Sequence, residues 1–164
     1  QPTPPQPSGS RPNNSQPKPE ITIDGNGTIT STKRDINGNI TSSTSRDKDG
    51  NITDKFYHKN GQLSSETHHN ADGSASNRYF REDGSLQSES SGDGKGNSQT
   101  THYRNNGSKS ITEKRSDGSS KRTEYDKNGV MRQETNIDSS GKKTQKNYDE
   151  NSKETNEEYR VPYN

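Results

Sequence analysis

The residues whose spacing comes nearest to a known chemistry are Asp47, Asp49, Gly50 and Ile52, which fall on positions three, five, six and eight of a twelve-residue EF-hand loop. Such a loop needs carboxylates at its first and twelfth positions, where this chain has Ser45 and Phe56, so turn chemistry accounts for the acids without a cation. Adjacent strand residues point to opposite faces, which keeps His68 and His69 from converging on one metal, and His58 and His102 lie in other arms. Ser, Asp and His all occur, but with 15% apolar residues nothing can bury a triad, shift a pKa or exclude water. The sequence therefore reads as non-enzymatic, with no catalytic, cofactor-binding or metal-ligating residue. Glycosylation sequons stand at Asn13, Asn26, Asn39, Asn51 and Asn106, and Thr22, Thr30, Thr41 and Thr53 begin an ice-binding-like threonine row that mixed residues then break.

The acids belong to a recurring element. Asp35-Ile36-Asn37-Gly38, Asp47-Lys48-Asp49-Gly50, Asp126-Lys127-Asn128-Gly129 and Asp138-Ser139-Ser140-Gly141 share a side-chain acceptor first, Asn, Asp or Ser third, and Gly fourth. That pattern predicts a type I turn followed by a left-handed residue, the hairpin loop with a G1 bulge. Its glycines recur at 27, 38, 50, 61, 73, 84, 96, 107, 118, 129 and 141, always 11 or 12 residues apart. A longer unit, Tyr57 to Leu63, returns at Phe80, Tyr103, Tyr125 and Tyr148 after steps of 23, 23, 22 and 23. Between turns lie arms rich in Thr, Ser and Ile, with no proline between Glu20 and Val161, so each arm reads as a strand. Consecutive short hairpins predict an all-β antiparallel meander, single-layer or solenoid-like, of about a dozen strands and roughly 55 Å. Residues 1–20, which hold seven of the eight prolines, are expected to be a disordered tail, residues 21–160 the repeat and residues 161–164 a short C-terminal tail.

Composition limits how such a sheet can be stabilised. A globular chain is nearly half apolar, so this one cannot offset about 1 to 2 kcal/mol of backbone entropy per residue through an ordinary core. Twenty-four basic and 23 acidic residues nearly cancel to a net charge of +1, which supplies no field for nucleic acid or anionic lipid. No apolar run is long enough to span a membrane, and the absence of Cys excludes disulfides and thiol chemistry.

Pairing the residue before each turn with the one after its glycine sets Tyr57 against Leu63, Phe80 against Leu86 and Tyr125 against Met131. The same register places Glu66 against Arg78, Glu113 against Lys121 and Glu124 against Arg132, and aligns Arg122, Glu134 and Lys146 as a ladder. It also sets Asp54 against Glu66, an unfavourable pair. Alternating steps of 11 and 12 pose a parity problem. A bulge in each longer arm keeps all the aromatics on one face; without it Phe80 and Tyr148 lie opposite Tyr57, Tyr103 and Tyr125.

Phe56-Tyr57-His58-Lys59-Asn60-Gly61-Gln62-Leu63 and its copies resemble the variant MORN repeat of bacterial antitoxin-like proteins, and Tyr125-Asp126-Lys127-Asn128-Gly129 resembles the Tyr-Asp repeat of Rhs-type and teneurin proteins. The architecture is also similar to the free-standing single-layer sheet of spirochaete outer-surface lipoproteins. The likeness covers Asp54 to Asn156; the chain lacks the Trp and second-hairpin Gly of MORN units and has no lipidatable Cys. The resemblance implies stacked hairpins used as scaffold or binding surface, and no chemistry. The expected protein is a secreted or surface-displayed structural or adhesive repeat that associates with itself or with a protein or surface partner. The alternatives are a soluble antitoxin- or effector-like recognition module and a disordered hydrophilic secretory protein.

Overall fold

The computed structural model describes residues 15–163, and within them every regular element is a strand. These are β1 (Glu20–Ile23), β2 (Ile29–Arg34), β3 (Ile40–Arg46), β4 (Ile52–Tyr57), β5 (Leu63–His69), β6 (Ala75–Phe80), β7 (Leu86–Gly92), β8 (Ser98–Tyr103), β9 (Lys109–Lys114), β10 (Ser120–Tyr125), β11 (Met131–Ile137), β12 (Lys143–Tyr148) and β13 (Glu154–Thr155). Each strand pairs antiparallel with the next in sequence, giving one open 13-stranded sheet in the order β1 to β13, the predicted meander. Most of the predicted tail, residues 1–14, lies outside the described residues. Ser15 to Pro19 carry no regular structure, and Glu20 already opens β1.

The turns are built as their residues dictate. Asp126 N donates to Val130 O at 2.9 Å and Gly129 N to Asp126 O at 2.9 Å, the two bonds of a type I turn closed by a G1 bulge, with Gly129 at φ 79°. Where the first residue is Asp, its carboxylate accepts from the backbone two and four residues on: Asp47 Oδ1 takes the N–H of Asp49 and of Asn51, both at 2.9 Å. Side-chain bonds from Asn51, Asn97 and Ser140 at Asp47, Asp93 and Asp138, and the backbone bonds at Asp35 and Asp149, favour the charged carboxylate and hold all five below the ordinary range. A twelfth turn, Asp149 to Lys153, has Ser152 where the others have glycine, at φ 65°.

Register corrects the sequence reading at defined places. Bulges interrupt the ladders at Lys33/Arg34, Phe56/Tyr57, Tyr79/Phe80 and Glu124/Tyr125, leaving Thr41, Ser64, Gln87 and Arg132 as the extra residues of β3, β5, β7 and β11. Each belongs to one of the 12-residue steps, while the 11-residue step through β9 pairs without a break. Tyr57–Leu63, Phe80–Leu86, Tyr125–Met131, Glu66–Arg78 and Glu113–Lys121 pair as expected. Glu124 does not face Arg132 but Gln133, and Arg122 faces Thr135, so the expected three-charge ladder reduces to Glu134–Lys146. The cause is the bulge at Arg132, which slides β10 one residue along β11. A similar shift at Ser64 relieves the unfavourable pair, placing Asp54 against Thr67 and Lys55 against Glu66.

The described residues form no apolar core. Among the described residues the buried ones are all polar or charged: Ser65, Thr101, Arg104, Ser108, Ser110, Thr123, Glu124 and Gln133. None of their side-chain polar atoms is left without a hydrogen bond. The sheet is a single layer, and both faces meet water.

Candidate binding face and the buried ion pair

Following the cross-strand pairs from β3 to β12 sorts the side chains into two faces, because directly opposed residues in an antiparallel sheet project to the same side. One face carries Lys55, Glu66, Arg78, Glu89, Thr101, Ile111, Thr123, Glu134 and Lys146 as one continuous row. Two residues along each strand on that face stand Tyr57, Phe80, Tyr103, Tyr125 and Tyr148, with Leu63, Leu86, Lys109 and Met131 opposite them. The bulges thus settle the parity question in favour of one shared aromatic face. The other face carries Phe56 and Tyr79, both about half exposed, among serines.

Charge and aromatic rings interlock on the shared face. Arg78 lies over the Phe80 ring at 5.7 Å and Lys109 over Tyr125 at 5.3 Å. Tyr103 donates its hydroxyl to Glu89 Oε1 at 2.8 Å, and that bond to a carboxylate pushes the phenol's pKa up. Glu66, His68, Arg78, Glu89, Gln99 and Thr101 line a shallow open groove of about 410 Å³ here. Its wall groups are already satisfied: Glu66 accepts from His68 Nε2 at 2.6 Å and lies 3.5 Å from Arg78. The arrangement can offer paired donors and acceptors beside apolar rings, a contact surface.

The histidines divide differently from a simple row of exposed strand residues. His58 sits in a turn and donates Nε2–H to the Phe80 carbonyl at 2.9 Å, tying its turn to the one 23 residues on. Arg81 makes the equivalent link to the Tyr103 carbonyl, and Asn60 Nδ2 reaches Glu82 O at 2.8 Å. His68 projects to the groove face and His69, on the other face, is exposed; His102 lies across from Ser88 and Ser110. Asp47 uses both carboxylate oxygens in its own turn, Asn51 Nδ2 donating to Oδ2 at 2.9 Å, while Ser45 bonds Thr30 and Phe56 faces solvent. Among the described residues no three His, Cys, Asp or Glu side chains are placed to hold a metal. Of the sequon asparagines, Asn39 and Asn51 give their amides to Asp35 and Asp47; Asn13 lies outside the described residues. Thr22, Thr30 and Thr53 share one row, but Thr41 is a bulge residue.

The feature that sequence reasoning missed lies on the opposite face near the C-terminal end. Arg104 occupies the first position of its turn and reaches across β9 to Glu124, Nη2 to Oε2 at 3.0 Å, with Ser108 and Ser110 hydroxyls as further acceptors. Arg122 donates Nε to the other Glu124 oxygen at 2.8 Å. Glu124 is 1% exposed. After β13 the chain turns back: Tyr159 N donates to Asn147 Oδ1 at 3.2 Å, and its ring stacks 4.9 Å from the Arg132 guanidinium, which itself bonds Tyr148 O and Asp126. Burial there raises the Tyr159 pKa, with Arg132 opposing it. Sequence offered no clear signal for it: Arg opens the turns at 81 and 115 as well as at 104, while seven other turns open with Asp.

The chain matches no protein-family model and no curated protein. No helix among the described residues is long and apolar enough to cross a membrane.

Proposed function

We propose that the chain is a non-enzymatic structural or adhesive repeat protein, secreted or displayed at a cell surface, which meets a protein or surface partner through its Tyr57–Tyr148 face and can associate with further copies. The observation carrying this reading is that three bulges, at Ser64, Gln87 and Arg132, keep every repeat aromatic on one face of a sheet with no apolar core among the described residues. Aromatic, Met and Arg side chains are what contact surfaces are enriched in. Kinship with variant MORN or Tyr-Asp repeats is part of the same proposal and rests on the unit Tyr57 to Leu63 and its copies. A net charge of +1 gives nucleic acid no electrostatic hold.

The test is binding of the purified chain to intact source cells and their extracellular matrix, alongside the location of the tagged protein. Phe80→Ala with Tyr125→Ala should lower binding at least tenfold, and Phe56→Ala with Tyr79→Ala on the other face should leave it within twofold. A tagged protein confined to the cytosol, in a stable one-to-one complex with a soluble partner, would replace surface display with the recognition-module reading, which the charged groove around Arg78 favours.

A further inference from the structure

The two ends of the sheet are built differently. At the C-terminal end β13 covers only Asn147 and Tyr148 of β12, Lys142, Lys143 and Lys146 crowd the rest of that strand, and Gln145 bonds Glu158 of the returning chain. Short strands, lysines and a covering segment are the usual ways of blocking edge pairing. At the N-terminal end β1 is also short, four residues, but it holds no lysine and none of the described residues covers it. Ile21 and Ile23 of β1 are 68% and 69% exposed, and Ile29 across from Ile23 is 46% exposed, all on one face.

The hydrogen-bonding parity of β1 follows from its turn. Asp24 N donates to Thr28 O at 3.1 Å, so the 24/28 pair is bonded, and alternation makes 22/30 and 20/32 bonded while 23/29 and 21/31 are not. The N–H and C=O of Ile21 and Ile23 therefore point away from β2. Only one antiparallel self-pairing uses both: Ile21 opposite Ile23 of a second copy, with Thr22 on the two-fold axis. Shifted toward the N-terminus, Ile23 would meet Pro19, which has no N–H; shifted the other way, Ile21 would meet Gly25 in the turn. The chosen register also puts both copies' isoleucines on the same face, joining two exposed clusters. The chain's own preceding stretch cannot substitute, since residues 1–19 hold no aliphatic or aromatic residue and seven prolines.

We propose that β1 is a self-association edge, and that two copies join β1 to β1 through reciprocal Ile21–Ile23 pairs into one continuous 26-stranded sheet that closes at the dimer. This rests on the structural-repeat reading above and names its partner. Only two residues of each strand pair directly, so the association is weak and concentration-dependent. Glu20 of one copy meets Asp24 of the other; Arg34, 3.7 Å from Glu20, tempers that repulsion, and added salt should strengthen the dimer.

The experiment is sedimentation equilibrium of the full chain with cysteine cross-linking, which is clean because the chain has no cysteine. Opposed residues on the axis form a non-bonded pair with Cα atoms about 4.5 Å apart, within disulfide reach. Thr22→Cys should oxidise to a covalent dimer at least tenfold faster than Ile23→Cys. Ile21→Pro, which removes an outward N–H but no bond to β2, should weaken the dimer at least tenfold and leave surface binding unchanged. A wild-type monomer at every concentration, growth past the dimer, or equal cross-linking at both positions would overturn the proposal. Those outcomes leave the surface reading standing, whereas loss of surface binding with an intact Thr22→Cys dimer strikes that reading alone.

Discussion

Removing the carboxylate at position 124 tests whether a polar cluster stands in for a core. Glu124→Ala leaves the Arg104 guanidinium, 5% exposed, with only the Ser108 and Ser110 hydroxyls at 3.4 and 3.2 Å. Stranding a buried charge costs about 3 to 5 kcal/mol, and in a single layer, where local opening readily admits water, the lower end of about 3 kcal/mol applies. Arg104→Ala is milder, because Arg122, half exposed, still donates to Glu124 at 2.8 Å; the loss is about 2 kcal/mol, that of one charge-assisted bond. Repeat arrays open locally, so the readout is residue-resolved amide exchange. At tenfold per 1.4 kcal/mol, amides of β9 to β11 should exchange about 100-fold faster in Glu124→Ala, while those of β3 to β5 stay unchanged. An effect under tenfold, one spread evenly over the sheet, or a larger loss in Arg104→Ala would refute the reasoning.

Glycine substitutions should separate conformational from steric cost. Gly129→Val should destabilise more than Gly129→Asn because only the β-branched side chain resists a φ of 79° in otherwise open space, and Gly94→Ala should exceed both by chemical denaturation, since its Cβ would overlap the Gly73 carbonyl. The turn aspartates have folded pKa values below their unfolded ones, so their stabilisation is complete above the ordinary carboxylate range and is lost as pH falls through the depressed values; circular dichroism should hold steady from pH 7 to about 4 and decline below it. Glu134→Lys should cost about 1 kcal/mol by opposing Lys146, and Lys146→Glu, but not Arg122→Glu, should recover part of it in a double-mutant cycle at low salt.

Most of this fold was legible because turns and steps are written in short-range chemistry. A glycine every 11 or 12 residues with Asp or Asn before it fixes a hairpin and its loop, and alternation along Thr-rich arms fixes the strands. What failed was long-range register at Glu124 and Arg122, because a bulge is encoded only as one extra residue in a 12-residue step: Thr41, Ser64, Gln87 and Arg132 share a place, three residues after the turn glycine, but no residue type that marks it. The buried Arg104–Glu124 pair was equally hidden. Nothing in composition indicates which two of 47 charged residues will be desolvated, and the returning segment near Tyr159 that helps cover them looks like an ordinary polar tail.

The repeat keeps its aromatics on one face by two different routes, and that difference bears on what they are for. Through β3, β5, β7 and β11 the step is 12 and a bulge absorbs the extra residue; through β9 the step is 11 and the bulge is absent. Either alone, a twelfth residue without a bulge or a bulge without a twelfth residue, would send the following ring to the other side. In a two-layer protein burial would enforce that agreement, since a flipped ring would leave a cavity. Here there is no second layer, and Phe56 and Tyr79 show that the opposite face tolerates exposed rings. Folding supplies one reason for Tyr57, Phe80, Tyr103, Tyr125 and Tyr148 to stay aligned, the cross-strand pairs with Leu63, Leu86 and Met131 and the cations Arg78 and Lys109 over the rings; the contact proposed for that face would supply a second.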